Sequence, residues 1–450
     1  MLTFNDSMGL LAKPSPALQY KAYSLANFEQ IPEVQRLPES MRFEMRVVGS
    51  VFPFKTNSYV IDELIDWSAV PRDPIFVLTF PQRGMLPPDK FDRMAAVIRS
   101  DAPREEIQAE ANSIRETLNP HPAGQMEYNV PDIDGIKLDG MQHKYDETIL
   151  FFPSQGQTCH AYCSFCFRWP QFVGMTDMRF ASREAGALVD YMWLHPEISD
   201  VLFTGGDPMI MKTAALEAYV RPLLDADLPG FQTIRLGTKA LGYWPYRFLT
   251  DPDAEDMLRL FTDVVDRGYH LALMAHFSHT RELETDAAQE AISRIRATGA
   301  EIRTQSPILA HINDDAATWS EMWQEQVRQG CIPYYMFVVR DTGAQDYFGV
   351  PLAKAWETYH EAIQNVSGLA RTVRGPSMSA TPGKVHVVGV SEVHGEKVFV
   401  LQFLQGRDAD WVTRPFFAKY DPQAIWLDDL KPAFGEERFF FESESKAGPA

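Results

Sequence analysis

Cys159-His160-Ala161-Tyr162-Cys163-Ser164-Phe165-Cys166 crowds three of the chain's four cysteines into eight positions, directly after the strand-like run Thr148–Phe152. Outward from this stretch the chain alternates. Short runs rich in Val, Ile, Leu and aromatics (Thr148–Phe152, Asp200–Thr204, Gln232–Leu236, Tyr269–Met274, Glu301–Thr304, Tyr334–Val339) are separated by helical patterns. One such pattern is Ala185, Leu188, Val189 and Met192 behind a Ser182 cap. Gly268, Gly299 and Gly330, evenly spaced, each close a helix and feed at once into the next run. A glycine at the left-handed position after a helix, leading straight into a strand, is the joint of a parallel sheet wound through crossover helices. Six such strands predict an α/β fold, a partial (β/α)6 barrel, with the cysteine loop at the mouth where strand ends open.

Around that barrel the 450 residues divide into three parts. Residues 1–142 read as a mostly helical extension ending in a linker rich in Pro, Gly and Asp. Its clearest helix has Asp101 as cap, Pro103 in the first turn, Glu105 and Glu106 at the positive dipole end, and a stripe of Ile107, Ala111, Ile114 and Leu118. Residues 143–349 are the barrel. Residues 350–450 read as an α+β segment: one helix (Lys354–Val366), a Gly/Ser/Pro loop (Gly375–Gly383) and a hairpin of Lys384–Val390 and Lys397–Phe403, with a mobile end from Gly435.

Composition narrows the function. A chain that is 45% hydrophobic and 23% charged folds rather than staying disordered. A net charge of −19, with no run of Lys and Arg to offset it locally, disfavours nucleic acid and anionic lipid. No apolar stretch approaches the roughly 20 residues of a membrane span. The first 20 residues lack a basic segment followed by an apolar one, so no signal peptide is read there and a cytoplasmic location is expected.

Four cysteines cannot form a disulfide framework at this length. Three soft thiolates in one loop, Cys159, Cys163 and Cys166, can instead hold three irons of a 4Fe-4S cluster and leave the fourth iron open. The alternative is a zinc site or reduced core cysteines, but zinc usually closes with a fourth ligand at Cys-x2-Cys spacing, which His160 is badly placed to supply. At the end of the second strand stands Thr204-Gly205-Gly206-Asp207-Pro208, whose paired glycines admit a ligand close to the backbone and whose Asp207 offers a carboxylate to an ammonium.

These features resemble the radical S-adenosylmethionine (SAM) superfamily, whose CxxxCxxC loop follows the first strand of a partial barrel and whose Gly-Gly-Glu/Asp motif receives the methionyl amino group. Over roughly residues 60–390 the resemblance narrows to the lysine 2,3-aminomutase family. Cys166-Phe167-Arg168 resembles its Cys-x-Arg, Arg235-Leu236-Gly237-Thr238-Lys239 its Arg-Ile-Gly-Ser-Arg, His276-Phe277-Ser278-His279 its His-Phe-Asn-His, Gln305-Ser306 its Gln-Ser, and Pro333-Tyr334-Tyr335 its Pro-Tyr-Tyr. The resemblance implies that Arg168 grips a substrate α-carboxylate, that Thr238, His276 and Gln305 line the SAM pocket with Gly205, Gly206 and Asp207, and that a 4Fe-4S cluster, SAM and pyridoxal 5′-phosphate (PLP) are the cofactors.

PLP needs a lysine for its resting imine and cations or backbone donors for its phosphate. The family takes that lysine from a glycine-rich loop after the barrel, and the matching position is Lys384 in Thr381-Pro382-Gly383-Lys384, which on local sequence alone is equally a surface turn. His143-Lys144-Tyr145 resembles the family's His-Arg-Tyr and makes Lys144 a phosphate or substrate contact. The family's lysine enzymes place two aspartates at the substrate's distal ammonium. Here the first position falls on Arg340 or Asp341, and the second is Ser377, so the expected substrate is an amino acid other than free lysine, with glutamate-like acids as one possibility. The expected activity is a 2,3-aminomutase, an isomerase acting on a small amino acid and fed by an electron donor such as flavodoxin or ferredoxin, in a homo-oligomer. Its alternatives are a radical SAM enzyme acting on a protein-bound lysine and a zinc-stabilised interaction module. Only Cys331 remains beyond the loop, so no separate structural zinc is expected.

Overall fold

The computed structural model describes residues 18–120, 122, 129–175 and 180–444; the readings placed on the first 17 residues and on the last six lie outside the described residues. Eleven strands form one sheet in linear order. They are β1 Met141–Tyr145, β2 Thr148–Phe151, β3 Asp200–Phe203, β4 Thr233–Thr238, β5 His270–His276 and β6 Glu301–Ile308. Then come β7 Ile332–Val338, β8 Arg374–Ser379, β9 Gly383–Val393, β10 Glu396–Gly406 and β11 Pro415–Lys419. From β2 to β8 neighbouring strands are parallel. β1 and β9 to β11 extend the sheet antiparallel at its two ends.

Register sorts the side chains into two faces. Phe151, Phe203, Leu236, Leu273 and Ile302 pair in one continuous row across β2 to β6. All are at most 1% exposed and pack with helix residues such as Leu188, Leu216, Leu223, Met257 and Phe261. Each such side chain contributes roughly 1.5–3 kcal/mol of burial. Their sequence neighbours Leu150, Leu202, Arg235, Gly237 and Met274 face the other way, into a cavity of about 350 Å3. That cavity also receives Tyr335 and Phe337 of β7, Ser379 of β8 and Lys384 of β9, so the sheet is curled around it as a partial barrel. Gly268, Gly299 and Gly330 all have left-handed φ (90°, 86° and 75°), as the helix-to-strand joints require.

Four details differ from the sequence reading. The end expected to be mobile from Gly435 instead sends Phe439 and Phe441 into the C-terminal core and forms the helix Phe440–Glu444. Asp101 does not cap the helix Arg104–Glu116, whose N-cap is Pro103. It sits at φ 49° and donates its amide to Ile98, finishing the preceding helix Pro88–Arg99 instead. Ser182 lies two residues before the N-cap of Ala185–Leu194, accepts the Glu184 amide at 3.0 Å, and exchanges backbone bonds with Phe152 and Ser154. The Gly/Ser/Pro stretch is largely a strand, β8, because its small residues let it approach β7: a Cβ on Gly375 would lie 2.4 Å from the Met336 carbonyl oxygen. The sheet thereby runs without interruption from β7 into the C-terminal segment.

The N-terminal part is a second apolar core laid against the cysteine loop. Ala22–Ser24 pairs with Lys55–Asn57, and the latter strand reaches the loop directly. Asn57 is fully buried: its Nδ2 donates to the carbonyls of His160 (3.2 Å) and Tyr243 (2.9 Å), and its Oδ1 accepts the Val60 amide (3.1 Å). Arg115, 3% exposed, donates to the Ser50 and Val51 carbonyls that end the helix Glu39–Val51. No helix among the described residues is long and apolar enough to cross a membrane. Replacing Asn57 by alanine leaves the buried Tyr243 carbonyl and Val60 amide without this partner and takes one of two donors from the His160 carbonyl, and we expect a loss of about 2–4 kcal/mol in urea unfolding; a loss below about 0.5 kcal/mol contradicts the clamp.

Candidate functional site

The cysteine loop is held on two sides. On one, the N-terminal part supplies Lys55 Nζ to the Cys159 carbonyl (2.7 Å), Tyr20 Oη to the His160 carbonyl (2.8 Å), and the Lys55 and Leu78 carbonyls to the Tyr162 and Ser164 amides (2.8 and 2.9 Å). On the other lies the turn after β3. Asp207 donates its amide to the carbonyls of Gly156 (3.0 Å) and Thr158 (2.8 Å). A Cβ on Gly206 would fall 2.4 Å from the Thr158 nitrogen, and one on Gly205, at φ 133°, 2.2 Å from Gln157 Nε2. The paired glycines are therefore required by the loop itself, whatever they admit as ligand.

Asp207 differs from its expected role. Its carboxylate accepts from the Met209 amide (2.9 Å), from Thr238 Oγ1 (2.8 and 3.0 Å) and from the Lys239 amide (2.9 Å). Burial raises its pKa to about 6 against these bonds. Both oxygens are engaged, so Asp207 and Thr238 lock the end of β4 to the glycine turn rather than offering free groups to a ligand. Arg247, 3% exposed, secures the same turn through the carbonyls of Met209 (2.9 Å) and Met211 (3.0 Å).

Cys159, Cys163 and Cys166 line the cavity with Gly205, Gly206, His276 and Gln305. All three are free thiols, and burial raises their pKa values, Cys166 to about 12, which favours the neutral thiol over the thiolate. Tyr243 Oη donates to Cys163 Sγ at 3.5 Å. No group of three His, Cys, Asp or Glu side chains among the described residues converges as it would around a single ion. A cuboidal cluster makes a different demand, since each sulfur binds its own iron. His276 is pushed down to about 3 by burial, which keeps its ring neutral, and its Nδ1 has no partner.

The opposite wall is cationic. Lys384 Nζ bonds Gln405 Oε1 at 3.0 Å, lies 4.3 Å from the centre of the Tyr335 ring, and is pushed down to about 8 by burial. Arg168 stands 4.2 Å over the Phe152 ring without a carboxylate partner among the described residues, its pKa lowered to about 10 by burial. Arg340 lines the cavity between the Phe167 and Trp426 rings, with its Nε unbonded and Asp341 no closer than 3.6 Å. Asp341 turns out of the cavity, where it accepts from Asn119. Ser377 is fully buried and faces the Met336 carbonyl instead. Lys144 lies outside the cavity lining: its Nζ bonds the Ala380 carbonyl at 2.6 Å, supporting the loop before Lys384, and Arg407, Arg340 and Lys384 add to the burial that lowers its pKa. Asp207 is the one carboxylate lining the cavity among the described residues.

Gln405, Arg407, Tyr243 and Lys55 carried no sequence signal, because each reaches the site from an element whose position only the tertiary fold sets. No protein-family model matches the chain. Among curated proteins it is 32% identical over 405 residues to "Putative L-lysine 2,3-aminomutase" of Aquifex aeolicus (strain VF5), covering 90% of this chain and 94% of that one. The chain belongs to the lysine 2,3-aminomutase family. More distant members are the L-lysine 2,3-aminomutases of Bacillus subtilis (strain 168), 25% identical over 61% of this chain and 55% of that one, and of Acetoanaerobium sticklandii, 26% identical over 51% and 52%. Among solved structures, a radical SAM methyltransferase from Sphaerobacter thermophilus aligns with a TM-score of 0.38 at 13% identity, covering 64% of this chain and 92% of that one. Another, TsrM from Kitasatospora setae, aligns at 0.30 and 16%, covering 43% and 36%. Likenesses this slight do not bear on the fold. Membership of this radical SAM family implies a 4Fe-4S cluster and SAM.

If the glycine turn and the cysteine loop fit as described, Gly206→Ala forces apart backbone that cannot yield. The variant is expected to unfold several degrees earlier and to retain less than half the wild-type iron after anaerobic reconstitution, as read by calorimetry and metal analysis. Unchanged iron and stability contradict the packing.

Proposed function

We propose that this chain is a PLP-dependent 2,3-aminomutase that moves an amino group from the α- to the β-carbon of a free amino acid, and that its substrate is acidic rather than lysine. The observation that carries the reading is that Cys159, Cys163 and Cys166 and the Lys384 amine open onto one cavity of about 350 Å3. The cluster with SAM would supply a hydrogen-abstracting radical, and PLP a carbonyl that takes up the migrating nitrogen.

The residues present fit those groups. Three thiols in one loop match three irons, and the neutral His276 ring with its unpartnered Nδ1 faces the same space. Lys384, lowered to about 8, presents a substantial neutral fraction near physiological pH, held in place by Gln405 and the Tyr335 face. Lys144 and Arg407, outside the cavity lining, bond the Ala380 and Thr381 carbonyls and would hold the loop that precedes Lys384 in place beneath the phosphate. Arg168 is left to grip the α-carboxylate, and its place over Phe152 fixes its plane. The apolar walls around Met274, Tyr335 and Phe337 exclude water from a reacting carbon.

The distal end of the substrate meets Arg340. A lysine ammonium would find no free carboxylate in the lining, whereas a second carboxylate would pair with a guanidinium whose one ion partner among the described residues, Asp341, stays 3.6 Å from its Nε. A cytoplasmic location, a flavodoxin- or ferredoxin-like donor and a homo-oligomer complete the proposal.

Anaerobically reduced enzyme given SAM, PLP and a panel of free amino acids is expected to isomerise glutamate-like acids faster than lysine, with the β-isomer read by mass spectrometry. Arg340→Met should raise KM for the acid about tenfold or more with a smaller change in kcat. Faster turnover of lysine, untouched by the substitution, contradicts the substrate class. Borohydride should fix PLP on Lys384 with a rate that rises through pH 8, because a lowered amine pKa puts the neutral form above that pH. Labelling that survives in Lys384→Ala refutes the lysine assignment.

A further inference from the structure

One cation beside the cysteine loop has no part in the reading above. Lys55 lies at the start of the Lys55–Asn57 strand, half-buried between the N-terminal part and the loop. Its Nζ donates to the Cys159 carbonyl at 2.7 Å and stands 5.9 Å from the centre of the Tyr162 ring. Its own carbonyl accepts the Tyr162 amide at 2.8 Å, so backbone and side chain of one residue grip the loop at two points that flank His160 and Ala161. No carboxylate pairs with Lys55 among the described residues, and the group its ammonium touches is the Cys159 carbonyl. A half-buried ammonium without a carboxylate is costly unless some other anion lies beside it.

We propose that Lys55 is a positioning residue for the cysteine loop whose fixed positive charge makes the bound cluster easier to reduce. The inference rests on the 4Fe-4S reading of the loop. In the step concerned, the cluster takes one electron from an external low-potential donor; no bond forms or breaks at Lys55, and no proton moves. An anionic cluster gains negative charge on reduction, so a nearby cation stabilises the reduced form more than the oxidised one and raises the potential. Distance and partial burial decide that the effect survives salt, because screening by ions acts mainly on exposed charges.

The test uses the full chain, reconstituted anaerobically with iron and sulfide, and a potentiometric titration followed by electron paramagnetic resonance. Lys55→Gln keeps a donor for the Cys159 carbonyl and removes the charge. Lys55→Arg keeps both. The Gln variant is expected to hold the wild-type complement of about four irons and to titrate at a more negative midpoint, with the Arg variant at the wild-type midpoint. A Gln variant that titrates with wild type overturns the proposal, as does loss of iron in both variants, which would make the residue a geometric support alone. Loss of iron in Gln with retention in Arg supports it, since the charge is then what the loop requires. Wild-type protein that takes up no iron defeats the cluster reading itself and is a separate result.

Discussion

Everything at the barrel mouth depends on how closely two backbone turns pass one another. The turn after β3 meets the cysteine loop with no side chain between them, since Gly206 leaves no room for a Cβ beside Thr158, and the Asp207 amide bonds two carbonyls of the opposing turn. The Asp207 carboxylate then carries the constraint onward to the end of β4 through Thr238 and Lys239. A loop of three thiols needs such support because nothing in its own sequence fixes it; without helix or strand geometry, its shape is set by what it touches.

The second organising feature is a contrast of charge. The chain as a whole carries −19, yet the cavity is lined by Arg168, Arg235, Lys239, Arg340 and Lys384 against one engaged carboxylate. Two of these cations are already matched, Arg235 by Asp200 at 2.8 Å and Lys239 by the fully buried Glu282. Of the others, Arg340 has only Asp341 at 3.6 Å, Lys384 only the Gln405 side-chain oxygen and Arg168 no carboxylate among the described residues, a desolvated setting that is costly unless anionic groups arrive there. A phosphate, an α-carboxylate and a distal carboxylate are anions of the kind such a lining can take up, and an acidic outer surface keeps stray polyanions away.

Much of this was legible in the sequence because the barrel repeats. All six expected strands are present within a few residues, and the glycine joints predicted from Gly268, Gly299 and Gly330 have the left-handed geometry. What misled was local chemistry that serves two masters. Asp101 looks like a helix start and is a helix end, and Gly375–Gly383 has the composition of a loop because a strand there must lie close to Met336. Asp207 was legible as important but not as spoken for, since its donors come from residues 209, 238 and 239. The sequence left Arg340 and Asp341 as alternatives; only the fold shows that Arg340 faces inward and Asp341 outward. Gln405, Arg407 and Lys55 have no local signature at all, because a long-range contact leaves no trace in spacing.

The proposed chemistry requires three sulfurs to share one iron–sulfur centre with an open iron. Its most direct test is the paramagnetic resonance spectrum of the anaerobically reconstituted, dithionite-reduced chain with and without SAM. A reduced 4Fe-4S signal that changes shape when SAM is added and is lost in Cys163→Ala is expected. A chain with no such signal, or one whose signal ignores SAM, contradicts it.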